Sequence, residues 1–346
     1  MNIVGQTRKF VTTHILSGVK PKHHQLFSFG LKALTLTPYE SLGSNARVVI
    51  KNMFTASSKI YRLVSNKTVV NNFPILVAKS GLVEKASLVN IDFSTFCGFQ
   101  ALVFAVQTSL GRAIPVWNNA ITYPIKTVGS QNLFVLEEIK AFGKTLGFYP
   151  RFVFDRGFWI PIVMKFLLKN TIHFYLRIKQ GQTLLWKDKG TRKCAKTIGT
   201  YNKDAIIILF GYKLRLIVSN QPPKQKNQKK KQNTERWYII SNDMQSSREE
   251  ILTIYATRFE IEETFKDYKH IQKLKRLRIK TKETFTILLW FASLAQWIAW
   301  WSNSQRMEQK VHPKKKRSFF RMFWEELQQA FRIEGLSRVV SLTAPG

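Results

Sequence analysis

The sequence predicts an α/β fold, a mixed sheet flanked by helices, interrupted by an inserted β-strand subdomain and preceded by a helical N-terminal region. Three observations predict it. Apolar runs rich in β-branched and aromatic residues follow one another from residue 88 and then alternate with segments of helical period. A later series of short strands is split by QPPKQKNQKKKQNTER, residues 221–236, which has no apolar residue and cannot enter a core. A hydrophobic content of 45% over 346 residues is sufficient for buried cores in roughly two or three domains.

Taken in order, residues 1–85 combine helical spacing in HHQLFSFGLKALTLTPYE and ARVVIKNMFTASSKIYRLV with intervening Pro and Gly. We expect a small helical region there that binds DNA or dimerises. His14, His23 and His24 have no carboxylate or cysteine at ligand spacing and read as surface histidines. SLVNIDFS, GFQALVFAVQTS and RAIPVWN then form an expected antiparallel meander. QNLFVLEEIKAFGKTLG carries apolar residues at 133, 134, 136, 139 and 142, a helix ending at Gly143 or Gly147. RFVFDRGF is a short strand that ends in an acid, WIPIVMKFLLKN a helix with Pro161 in its first turn, and IHFYLRIK a further strand. This β-β-β-α-β-α-β order is the layout of an RNase H-like fold. Its first part spans 86–180, a β insertion with the basic loop 221–236 spans 181–245, and the second part, 246–304, opens with a helix capped by Ser246 or Ser247. A helical basic tail, 305–346, completes the chain.

Composition narrows the partner. Lys and Arg number 55 against 21 Asp and Glu, a formal charge of +34, and such a surplus attracts polyanions, nucleic acid first among them. A basic protein lying on a membrane surface is the competing reading. Cys97 and Cys194 stand far apart, so neither a disulfide framework nor a cysteine-based zinc site is expected, which fits a reducing cytoplasm. The apolar run 285–301 has 17 residues and includes Thr286, Ser293 and Gln296, so it is expected to pack inside the protein rather than to span a membrane. The N-terminus lacks the apolar core and cleavage site of a secretory signal, and the chain reads as unexported. Lys224, Lys226, Lys229, Lys230 and Lys231 would neutralise phosphates if DNA passes the insertion, or would form a solvated loop.

Three acids stand out by position: Asp92 in the first strand, Asp155 at the end of the fourth, and Glu262 in IYATRFEIEETFKDYKH, residues 254–270. On an ideal helix Tyr255, Arg258, Glu262 and Lys269 fall at about 0°, 300°, 340° and 320°, one face. Glu260, Glu263 and Asp267 fall at about 140°, 80° and 120°, a second face expected to meet solvent. The plain reading of the first face is an (i, i+4) ion pair between Arg258 and Glu262 on an amphipathic helix. In the RNase H-like layout, neighbouring strands bring Asp92 and Asp155 together and the helix lays Glu262 across them. Three close carboxylates repel one another unless divalent cations are bound, so the cluster predicts Mg²⁺ or Mn²⁺, two ions of which serve phosphodiester chemistry.

The spacing Y-x₂-R-x₃-E-x₆-K at Tyr255, Arg258, Glu262 and Lys269, with DRGF at 155–158, resembles the DDE transposases of insertion sequences, and most narrowly the IS-four family. The resemblance covers about 86–300 and includes the inserted β region. It implies cut-and-paste DNA transposition by a homodimer that pairs two element ends, with Asp92, Asp155 and Glu262 as catalytic metal ligands. It also implies that Tyr255, Arg258 and Lys269 grip phosphates near the cleaved end, joined by Arg156 unless that residue forms a structural salt bridge. Trp186 and Trp237 are candidates for stacking on a flipped base or are core residues. A catalytically inactive, transposase-derived nucleic-acid-binding protein and a metal-dependent nuclease of the same fold are the alternatives.

Overall fold

The computed structural model describes residues 67–96, 98–108, 111–122, 131–219, 236–272, 274–276, 279–308, 321 and 324–325. The expectations for residues 1–66, for the basic loop and for most of the C-terminal tail lie outside these. The described chain is a mixed α/β structure built on one large sheet with helices packed against it.

A first helix, α1 (Lys67–Ser80), leads into the meander β1 (Leu88–Phe96), β2 (Phe99–Val106) and β3 (Ile114–Thr122), all antiparallel. Helix α2 (Gln131–Leu146) ends at Gly147, whose φ of +80° is the left-handed conformation that stops a helix and that glycine adopts at little cost. Strand β4 (Arg151–Phe154) follows, then α3 (Pro161–Lys169), with Pro161 where its missing N–H costs no hydrogen bond, and β5 (Phe174–Arg177). Strands β1, β4 and β5 are parallel neighbours.

The insertion comprises β6 (Thr183–Trp186), β7 (Thr191–Cys194), α4 (Ala195–Tyr201), β8 (Asp204–Leu209) and β9 (Tyr212–Val218), and the chain returns through β10 (Tyr238–Ser241). Helix α4 lies in a region where the sequence predicts strands and turns alone. It forms because Ala195, Ile198 and Gly199 supply a short buried stripe, with Gly199 close against Val218 and Tyr238. Strand β10 pairs antiparallel with both β5 and β9. The insertion therefore extends the same sheet, ten strands in the order β3-β2-β1-β4-β5-β10-β9-β8-β6-β7.

After β10 come α5 (Arg248–Ala256), a 3₁₀ turn (Thr257–Phe259), α6 (Glu260–Lys266), a π turn (Asp267–Ile271) and the long α7 (Lys282–Glu308). The run at 285–301 does pack inside: Phe285, Leu288, Phe291 and Trp297 are buried, and Trp297 Nε1 donates to the Pro115 carbonyl of β3. Among the described residues no helix is long and apolar enough to cross a membrane.

Candidate active site

The parallel pairing of β1 with β4 places Ile91 opposite Phe154, so the next residues, Asp92 within β1 and Asp155 just past β4, lie side by side. Asp92 continues along β1, where its Oδ1 accepts the Phe93 N–H at 2.7 Å. Asp155 ends its strand in extended conformation as the residue before the 3₁₀ turn Arg156–Phe158, but its side chain does not cap that turn. Its carboxylate accepts instead from Tyr255 Oη at 3.4 Å.

The segment that carries the third acid is fixed at its start by Ser247, whose hydroxyl accepts the Glu250 N–H while Glu250 accepts the Ser247 N–H. Ile251 and Tyr255 anchor α5 on Val153, Tyr175, Ile217 and Ile239 of the sheet, together with Trp237. Trp237 is thus core, its ring 5.3 Å from that of Tyr255 and 6.0 Å from that of Phe259. Trp186 is buried as well, stacked on the exposed Tyr201.

Arg258 lies at the centre. It is 5% exposed, its Nη2 meets Glu262 Oε1 at 2.7 Å, and its Nη1 meets Asp92 Oδ2 at 3.5 Å. The guanidinium also lies 4.7 Å from the centroid of the Phe259 ring. The (i, i+4) pair read from sequence is therefore present, with Arg258 buried and Glu262 partly exposed, and it is one arm of a bridge that reaches a second acid. Burial pushes the Asp92 carboxyl up to about 6, against the opposing effects of Arg258 and the Phe93 N–H, and the charges of Asp155 and Glu262 push the same way as burial. Burial likewise raises the Tyr255 hydroxyl. Arg258 is held cationic: burial opposes its charge, and Tyr255, Asp155, Asp92 and Glu262 together outweigh burial. The three acids and the guanidinium thus form one electrostatic unit.

Tyr255 is fully buried, so Tyr255 and Arg258 both address the carboxylates in this arrangement. Lys269 is only partly buried. Its Nζ sits 5.1 Å from the centroid of the Phe96 ring, and its pKa is lowered by burial and by Lys275, with Asp92 opposing. Arg156 is exposed directly after Asp155. Among the described residues no three His, Cys, Asp or Glu side chains are grouped to hold a metal ion. The acids converge on the guanidinium, which supplies their positive charge here.

The second acidic face meets solvent only in part, Glu263 remaining 37% exposed. Asp267 is buried, with its Oδ2 2.7 Å from Arg112 Nε, and Glu263 lies 3.7 Å from Arg112 Nη2. Glu260 Oε2 accepts the Thr108 N–H at 2.8 Å. The wheel groups these acids correctly with Thr257 and Thr264 on one side, and what it does not show is that the β2–β3 connection covers that side. Arg112 gave no signal in the sequence beyond its charge. A spacing of 257, 260, 264 and 267 for hydrogen-bonding side chains was the available clue to a covered polar face.

Residues 135–298 match the family model of the transposase DDE domain. This stretch contains Asp155 and Glu262 and begins after Asp92. A search of curated proteins gives no match. Among solved structures, a piggyBac transposase synaptic complex with hairpin DNA aligns at 10% identity over 99% of this chain and 84% of that chain, with a TM-score of 0.48.

Proposed function

We propose that this chain is an insertion-sequence transposase of the DDE class, similar to the IS-four family, that cleaves and joins DNA strands at the ends of its element. The observation that carries the reading is the convergence of Asp92, Asp155 and Glu262, from three separate elements, around Arg258. The transposase DDE domain match over 135–298 supports it independently. The strand order 3-2-1-4-5 with three antiparallel and three parallel members supports the RNase H-like reading of the core.

The donor set, three oxygen-bearing carboxylates, suits a hard divalent cation in its chemistry; Asp92 is raised to about 6 first by burial and to a lesser degree by the charges of Asp155 and Glu262, a repulsion that a bound cation would relieve. Asp92, Asp155 and Glu262 would hold Mg²⁺ or Mn²⁺, which supplies Lewis-acid stabilisation of the reacting phosphodiester oxygens. Tyr255 holds Asp155 in place through its hydroxyl, and Arg258 holds Asp92 and Glu262. Lys269, partly buried, and the exposed Arg156, next in sequence to Asp155, would contact the DNA backbone. In this reading the protein acts as a homodimer on paired DNA ends.

The test is strand cleavage of DNA carrying the element's own ends in Mg²⁺, Mn²⁺ or EDTA. Metal-dependent nicking at the element end, lost in Asp155→Ala, is the expected outcome. Glu262→Gln should lower cleavage by about 10²–10³-fold or more while end binding stays near that of the parent. Equal cleavage by the parent and Glu262→Gln would sink the ligand assignment, and tight binding without cleavage in any metal would favour a binding protein.

A further inference from the structure

The geometry points to Arg112 as a positioning residue: with Asp267 it clamps α6 to the β2–β3 connection and thereby sets the rotation at which Glu262 faces Asp92. For its catalytic consequence, this inference rests on the transposase reading above.

The clamp is a row of contacts along one side of the late helical segment. Thr257 donates to Gln107 Oε1, and Gln107 Nε2 donates at 2.7 Å to Asn90 Oδ1, two residues before Asp92 on β1. Next along the row, Glu260 accepts the Thr108 N–H at 2.8 Å, and Thr264 Oγ1 donates at 2.6 Å to the Ala113 carbonyl. The buried Asp267 closes it on Arg112 Nε at 2.7 Å. Arg258 and Glu262 leave the same segment toward Asp92.

A helical segment gripped along one flank and reactive on another transmits any roll about its axis to the reactive flank. Side-chain tips lie roughly 5–6 Å from a helix axis, so a roll of about 10° moves a carboxylate by about 1 Å. A displacement of that size can cost about 10²-fold in rate. The Arg112–Asp267 pair controls the roll because it lies at the far end of the row, where the helix loosens into the π turn. Its geometry is directional, a planar guanidinium on a carboxylate, which a point charge reproduces only in part.

The experiment compares the parent, Arg112→Met, Arg112→Lys and the double variant Arg112→Met/Asp267→Leu, which leaves neither charge buried alone and so guards against a simple folding failure. Two readouts are taken: amide hydrogen exchange over 257–271 against 248–256, and single-turnover cleavage of DNA ends already bound. In Arg112→Met and in the double variant, exchange over 257–271 should rise roughly tenfold with 248–256 little changed. Cleavage of bound ends should fall about 10²-fold, with Arg112→Lys recovering only part of it. Unchanged exchange over 257–271 overturns the clamp whatever the activity of the parent. Faster exchange with undiminished cleavage of bound ends overturns the positioning role. A parent that cuts no DNA overturns the transposase reading instead, and the exchange comparison still decides the clamp.

Discussion

At the scale of single residues the balance of burial and charge decides what each acid does. Arg258 holds the Asp92 carboxyl down against burial and two like charges, so Arg258→Met should raise Asp92 beyond its value of about 6. Carboxyl ¹³C NMR of labelled protein would read this, and an Asp92 that titrates at or below about 6 in the variant would show that the guanidinium is not its partner. Asp267 offers a stability test away from the proposed site. Burial raises it from 3.8 to about 6 in spite of Arg112, so the fold favours its protonated form. The stabilisation from that preference is complete below about 3.8 and is lost as pH rises through about 6. About two pKa units correspond to on the order of 3 kcal/mol. As pH rises from 4 to 7, Asp267→Asn should therefore lose less stability than the parent, by up to that amount, in denaturant unfolding, and parallel stability curves would contradict it. The sequence pointed to Asp92, Asp155 and Glu262 because an acid at a strand end, or on a helix with cations at i−4 and i+7, is conspicuous. It concealed Asp267 because a helical wheel gives the face but not what packs on it, and the cover supplied by the β2–β3 connection is a long-range fact.

At the scale of elements, local chemistry wrote most of the boundaries. Ser247 and Glu250 are legible as a capping box, and Ser247→Ala should cost about 1 kcal/mol in unfolding free energy. Gly143 shows how a local reading can mislead. It suggests itself as a helix stop, yet α2 runs through it to Leu146, and the glycine is there for space. A Cβ at this position would lie 2.0 Å from the Tyr149 ring. Gly143→Ala should thus destabilise, by about 1–3 kcal/mol as overpacking does, although alanine is the better helix former. A stabilised Gly143→Ala protein would mean that the Tyr149 ring moves away freely. The strands of the meander and of β4 and β5 were readable because their apolar runs are bounded by turn residues. Helix α4 was not, since seven residues hold barely two turns of pattern and its burial against β9 and β10 is a long-range fact.

Across the whole molecule, what the sequence could not specify was how the insertion attaches. A hairpin unit read in isolation looks like a separate subdomain, but β10 pairs with β5 on one side and β9 on the other, and this fuses both parts into one sheet. Arg215 of β9 strengthens the junction: it bridges Asp204 of β8 and donates at 3.2 Å to the Asp243 carbonyl in the connection to α5. The insertion is thereby coupled to the helix that carries Tyr255. Charge is the other property that belongs to the entire chain. The 55 Lys and Arg exceed the 21 acids by 34, and several of those acids are already committed inside the fold to Arg112, Arg215 and Arg258. The remaining cations must be screened by salt or by a polyanion, and DNA releases its condensed counterions when they bind. End binding should therefore weaken by about 10³–10⁵-fold between 50 and 200 mM salt if roughly 6–10 phosphates are contacted. Lys269→Ala and Arg156→Ala should each reduce the slope of log K against log salt by about 1 if they touch the backbone, with the loss uniform across DNA sequences. Binding isotherms over a salt series measure both quantities. A flat response would separate the charge surplus from DNA altogether, because no set of uncharged contacts removes the counterion term from binding to a duplex.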